Sequence, residues 1–331
     1  MTEYPASESE YRMTMTTSDN MLKRWSGRLL PWLLIVLYVA AVQWLIGWDW
    51  VFSAWSQMSA EVLAVAVALM IVSYLLRAWR ITSYFGLSGR GDFPGAVAVT
   101  LQHNLFNHLL PARSGEISFP LLLKRRFQLD WMHSTAALFW LRLLDLHFVL
   151  GLALFLAAQR LGGNVMASVA FGAWLVAPLL LAPPLIGGLS RRREGKPAKG
   201  RFGRLLDRFL AGLPDSRERT GRSLLITWLN WIVKLGLVAW LFRSFSGATW
   251  PASLAGMLGG EITSVLPFHS PGGVGTYEAG VMLAAAPYHL PLRVVASAGV
   301  NVHLFLLGMA LVSGGAVLLL TQGSVFKTEA A

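Results

Sequence analysis

The sequence predicts an all-α, polytopic membrane bundle with two broken hairpins, and three observations predict it. Hydrophobic residues make up 55% of the 331-residue chain and charged residues only 14%, whereas soluble domains carry about 25% charged residues. Apolar runs fall at 29–48, 60–78, 134–158, 165–188, 223–243 and 293–320, each near the ~20 residues needed to cross a ~30 Å hydrocarbon core. Two more apolar regions, 94–123 and 251–287, are interrupted by proline, glycine and ionisable residues. An unsatisfied backbone group in hydrocarbon costs several kcal/mol, so a broken helix persists only against protein or a water-filled cavity.

Residues 1–24 are polar and lack an apolar stretch beside a basic start. They read as a disordered cytoplasmic tail, not a signal peptide, so run 29–48 is an uncleaved anchor. Lys23, Arg24 and Arg28 precede that run, and Arg77, Arg80 and Arg90 follow the next. Lys124 to Arg126 follow the first broken region and Arg191 to Arg193 the fourth run. The intervening connections carry little beyond Arg160, Arg243 and Arg293. By the positive-inside rule the basic side, with both termini, is cytoplasmic.

Region 94–123 starts and ends on the basic side. About thirty residues are too few for two full spans and a turn at 1.5 Å per residue. A re-entrant hairpin with its tip at Pro111–Glu116 fits. Region 251–287 becomes a hairpin from the opposite face, which suggests an inverted repeat. The rival count makes each region two short spans. Residues 25–322 thus form one transmembrane domain, and 323–331 a cytoplasmic tail. Within that domain the basic loop 189–222 has Phe202, Leu205, Leu206, Phe209, Leu210 and Leu213 at helical spacing between arginines, a pattern for a helix on an anionic membrane surface. No nucleic-acid-binding module is present, and no nucleic acid is expected as a partner.

Chemistry concentrates at the breaks. His103, Asn104, Asn107 and His108 form a polar stripe leading to Pro111, Arg113, Gly115 and Glu116. Pro111 ends the helix and Gly115 permits the reversal. Arg113 and freed backbone amides would hold an anion such as a lipid phosphate. The second break, Pro267 to Glu278, holds His269, Gly272, Gly273 and Gly275 before Glu278. It lacks the Lys-Ser/Thr of a phosphate-cradling P-loop. Glu278, or Glu261 before it, could carry a proton or meet an amine. Arg142 and Asp145 share a face and read as an intramembrane pair, and Lys234, mid-span with Asn230 one turn earlier, awaits an acid from a hairpin. Cysteine is absent, which excludes disulfides and thiol chemistry. No metal-ligand spacing occurs, and no cofactor is expected.

The motifs Asn107-x-x-x-Pro111-x-Arg113-x-Gly115-Glu116, Arg142-Leu-Leu-Asp145 and Pro267-x-x-x-Pro271-Gly272-Gly273-x-Gly275-x-x-Glu278 resemble the lysylphosphatidylglycerol synthase transmembrane-region family, the flippase-like domain also found in the multiple peptide resistance factor. The likeness runs from about residue 25 to 320. Two positions depart from the family's pattern: Leu141 stands where a glutamate is common, and Ile117 to Pro120 lack a frequent arginine, its nearest substitute being Lys124.

The resemblance implies an integral protein of the bacterial inner membrane that moves or binds a phospholipid or polyprenyl-linked lipid, with no synthase domain and no catalysis. On that reading Asn107, Arg113, Gly115, Glu116, Gly272, Gly273, Gly275 and Glu278 bind the lipid, while Arg142, Asp145, Lys234 and Glu261 pair or couple. The membrane lipid is the expected partner. The alternatives are a non-catalytic companion of a lipid-modifying or glycosyl-transferring enzyme, or an intramembrane enzyme using His103, His108 or His269.

Overall fold

A computed structural model describes residues 36–163, 165–193, 200–265 and 270–328, with backbone alone at 111–113, 271 and 322–328. Every regular element among them is helical. In order these are α1 (Val36–Leu45), α2 (Trp48–Ser56), α3 (Ala60–Phe85), α4 (Asp92–Leu109), α5 (Ser118–Phe127), α6 (Trp131–Arg160), α7 (Val165–Arg193), α8 (Gly200–Ala211), α9 (Arg217–Ser246), α10 (Trp250–Val265), α11 (Thr276–Ala285) and α12 (Leu292–Thr328). Short 3₁₀ segments lie at Pro111–Ile117, Pro271–Gly273 and Ala286–Tyr288. Helices α3, α6, α7, α9 and α12 are long and apolar enough to cross a membrane, and α1 with α2, bent by 77°, makes a sixth if counted as one span.

Helix ends follow local chemistry. Ser59, Asp130 and Ser216 cap α3, α6 and α9 by accepting from backbone amides one turn in, which satisfies donors that the first turn leaves orphaned. Gly86 and Gly247 close α3 and α9 in left-handed conformation, where glycine carries no Cβ penalty. Two boundaries correct the sequence reading. The first apolar run does not continue straight to residue 48, because the chain turns at Gly47, whose φ is 89°. The second does not end at 78. With no breaker before Gly86, α3 runs on to Phe85, so Arg77 and Arg80 lie roughly two turns inside a helix. They are part of the span and not its flank.

Helix α9 occupies the centre. Its Trp231, Leu235, Val238 and Phe242 pack with Met70 and Tyr74 of α3, Met257 of α10, Val281 of α11 and Val302 of α12 in one buried cluster. At the periphery α7 buries only Pro183 and Ile186 among its described residues. Helix α8 sets Phe209 and Leu210 against the cluster of Tyr84, Ala136 and Leu213, leaving Phe202 exposed beside its arginines.

Both broken regions are antiparallel helix pairs. In the first, Gly95 faces Phe127, His103 faces Phe119, and Gly115 lies on Phe106 and Asn107. In the second, Gly256 faces Ala285, Gly259 faces Gly280, and Gly260 faces Tyr277. A Cβ on Gly280 would stand 2.5 Å from the Gly259 carbonyl oxygen, so α10 and α11 touch backbone to backbone. Small residues permit this approach in apolar bundles. Helices α3 and α9 are themselves antiparallel, with Arg219 over the Tyr84 ring at one end and Trp55 against Phe245 at the other. The first hairpin follows the C-terminal end of α3 and the second that of α9. They therefore enter from opposite ends of the bundle, and their breaks meet: a Cβ on Gly272 would lie 3.6 Å from the His108 carbonyl oxygen.

Candidate functional site

Where the breaks meet, a cavity of about 1310 Å³, mouth included, opens between α3, α4, α6, α9, α10 and α12. Its polar wall comes from Arg77 and Arg80 of α3, the His103, Asn104 and Asn107 stripe of α4, Arg142 and Asp145 of α6, and Lys234 of α9 facing Glu261 of α10. Phe119, Leu138, Leu141 and Leu306 supply apolar wall beside them.

The charges are organised as pairs. Arg80 Nη1 is 2.7 Å from Asp145 Oδ1 and also donates to Thr227 Oγ1 at 3.1 Å. Trp231 Nε1 donates to the same Asp145 oxygen at 3.0 Å. Arg142 lies 3.4 Å from the other Asp145 oxygen and, more closely, 2.7 Å from Glu116 Oε1. Arg142 and Asp145 thus share a face as expected, but each has its nearest partner elsewhere. Lys234 Nζ meets Glu261 Oε2 at 2.5 Å, with Ser264 Oγ donating to the same oxygen and the Trp231 ring 5.2 Å from the ammonium. The hairpin acid that Lys234 needed is Glu261. Buried charges persist in this form because an unpaired one is strongly destabilising.

At the first break, Ser118 Oγ donates to the Gly115 carbonyl at 2.6 Å. His103 Nδ1, 3.0 Å from Ser118 Oγ, then carries the proton, and His103 Nε2 accepts from Asn107 Nδ2 at 3.1 Å. Gly115 has no positive φ. The reversal comes from extended Leu110 and the 3₁₀ segment after it. Gly115 is glycine because a Cβ would stand 2.5 Å from the Phe106 carbonyl oxygen and 2.6 Å from Asn107. Arg113 sits within the 3₁₀ segment, but its side chain lies outside the described residues. That segment passes directly into α5, with Ile117 already helical, so this hairpin has no exposed helix start at Ser118.

At the second break, Gly272, Gly273 and Gly275 have φ of 66°, 79° and 82°, a region that side chains disfavour. Here the glycines make the turn itself. Glu278 is buried and does not line the cavity. Its Oε1 accepts from Tyr38 at 2.9 Å and lies 2.7 Å from His303 Nδ1, while Oε2 accepts from the Gly275 amide at 2.8 Å. His303 Nε2 donates to the Gly272 carbonyl at 2.8 Å. The Gly275 amide at this helix restart is therefore taken by Glu278 and is not offered to a ligand. His269 lies outside the described residues. His108 lines the cavity.

Sequence reading missed Arg77, Arg80 and His303. The arginines resembled a topological flank, and only the absence of a breaker before Gly86 showed otherwise. His303 was visible as an ionisable residue within run 293–320, which by itself marks a functional candidate. A comparison with curated proteins returns no match. The family model described as the lysylphosphatidylglycerol synthase TM region matches residues 31–314. That match covers most of the chain, including both hairpins and every helix that walls the cavity, and the chain belongs to this family.

Proposed function

We propose that this protein moves a phospholipid or polyprenyl-linked lipid between leaflets of a bacterial inner membrane, both termini facing the cytoplasm. The observation that carries the reading is a charged cavity with apolar walls, enclosed where two hairpins from opposite ends of the bundle meet. Sites of this kind, at interrupted helices, are where transporters hold substrate. The anionic headgroup occupies the polar wall and the acyl chains follow the apolar one. Exposure of the site alternates as one hairpin shifts against the other.

Conversion of the lipid is the weaker reading. The Ser118–His103 contact resembles a nucleophile beside a base, yet Ser118 gives its proton to the Gly115 carbonyl. Among the described residues it does not line the cavity. The contact instead fastens α5 to α4. A membrane partner is favoured by one feature, the sparsely covered α7.

A headgroup-quenching assay in liposomes of phosphatidylcholine and fluorescent phosphatidylglycerol tests transport. Wild type is expected to equilibrate the leaflets faster than empty liposomes, and Asp145→Asn to slow this. Equal rates for wild type and empty liposomes would defeat the proposal.

A further inference from the structure

Among the described residues four Arg and Lys side chains line the cavity, and three each face a carboxylate: Arg80 with Asp145, Arg142 with Glu116, and Lys234 with Glu261. The fourth, Arg77, has no ion pair or hydrogen bond among the described residues, and its Nε is buried without a partner. It lines the cavity. Arg80, Arg142 and Lys234 all lie within its electrostatic reach, opposed by Asp145. A half-buried guanidinium held among like charges, its Nε buried without an acceptor, is costly. It is retained at little cost where an anion visits. Its planar fork of five donors matches phosphate oxygens in bidentate fashion. Asn104, on the same cavity wall, commits one amide N–H to Tyr74 at 3.3 Å and has a second that can join Arg77 on a phosphate.

We propose that Arg77 is the anchor for a phosphate group, that of a lipid headgroup. This deepens the transport reading and rests on it. Phe119, Leu138, Leu141 and Leu306 beside the charges favour a phosphate that carries acyl chains over a free ion.

The test uses purified full-length protein and lipids with identical acyl chains: phosphatidylglycerol and diacylglycerol, read by native mass spectrometry, and inorganic phosphate, read by calorimetry. Wild type is expected to retain phosphatidylglycerol about tenfold over diacylglycerol, as a charge-assisted pair predicts. Arg77→Gln is expected to bring the ratio near unity and Arg77→Lys to restore part of it, with Arg77→Gln unfolding at or above the wild-type temperature. An unchanged ratio in Arg77→Gln overturns the inference. If that variant also equilibrates leaflets normally, the transport reading survives without it. Saturable inorganic phosphate binding that Arg77→Gln abolishes, with no lipid preference in wild type, overturns the lipid source. Wild type that prefers phosphatidylglycerol through Arg77 but equilibrates no leaflets overturns transport alone.

Discussion

Arg142 on α6 reaches the first hairpin to place Nη2 2.7 Å from Glu116 Oε1, so the glutamate that follows the break is tied to the long helix that follows the hairpin. Glu278 repeats the relation in the second hairpin through His303 of α12, also at 2.7 Å. Both hairpins are therefore anchored just beyond their breaks by ionisable groups on neighbouring helices.

Glu116→Gln and Arg142→Gln should each destabilise by about 1–3 kcal/mol, between the values for exposed and fully buried ion pairs. In Glu116→Gln, Arg142 retains Asp145 at 3.4 Å, and in Arg142→Gln, Asp145 retains Arg80 at 2.7 Å, so the cost stays below that of breaking the Arg80–Asp145 pair. A double-mutant cycle by thermal unfolding in dodecyl maltoside should give a coupling of about 1–2 kcal/mol. Simple additivity would show that the contact contributes nothing.

Asp145→Asn should cost more. Asp145 accepts from Arg80, Arg142 and Trp231, and neutralising it leaves two guanidiniums facing one carboxylate fewer. Breaking a buried pair typically costs about 3–5 kcal/mol, so Tm should fall by roughly 10 °C. An unaltered Tm would mean that Arg80 is neutralised by another group.

Gly280→Val should force α10 and α11 apart, since even a Cβ there lies 2.5 Å from a backbone oxygen. Overpacking of this kind costs about 1–3 kcal/mol or more. Gly236→Ala in α9 is the control. Nothing lies within 4 Å of its added Cβ, and relieving a mid-helix glycine should stabilise by about 0.5–1 kcal/mol. Equal effects at the two sites would refute the packing account.

The turn at Gly272 to Gly275 is tied to the helices by Glu278 on the Gly275 amide and His303 on the Gly272 carbonyl, and internally by Ser270 on the Val274 carbonyl and Thr276 on the Gly273 carbonyl. The chain has no cysteine, so Val274→Cys, which keeps the backbone carbonyl that Ser270 bonds, supplies a single label at the turn. Maleimide labelling of that site should quicken about tenfold when Glu278→Ala or His303→Ala is added, because either change removes a tie worth about 1.5 kcal/mol. Unchanged labelling rates would show that the turn is set by its glycines alone.

Much of this architecture was legible in one dimension because its causes are local. Apolar run length places the long helices, and Leu-Pro with following glycines marks both breaks. Arg142-Leu-Leu-Asp145 placed two charges on one face through helical period alone. Partner choice is a different matter. Arg142 could be assigned to Asp145, its neighbour in sequence, but Glu116 claims it across helices. Asp145 in turn belongs first to Arg80. Glu278 looked like an acid facing a substrate and is instead enclosed by Tyr38, His303 and the Gly275 amide. Gly115 read as a turn residue, and its necessity proved to be contact with α4. Sequence by itself determined the helical class, the breaks and the supply of charges, since these depend on residues a few positions apart. Only the tertiary structure decided which charges pair in contact and that Arg77 makes no contact ion pair among the described residues, its Nε buried without an acceptor, because Coulomb energy depends on distance through space and not along the chain.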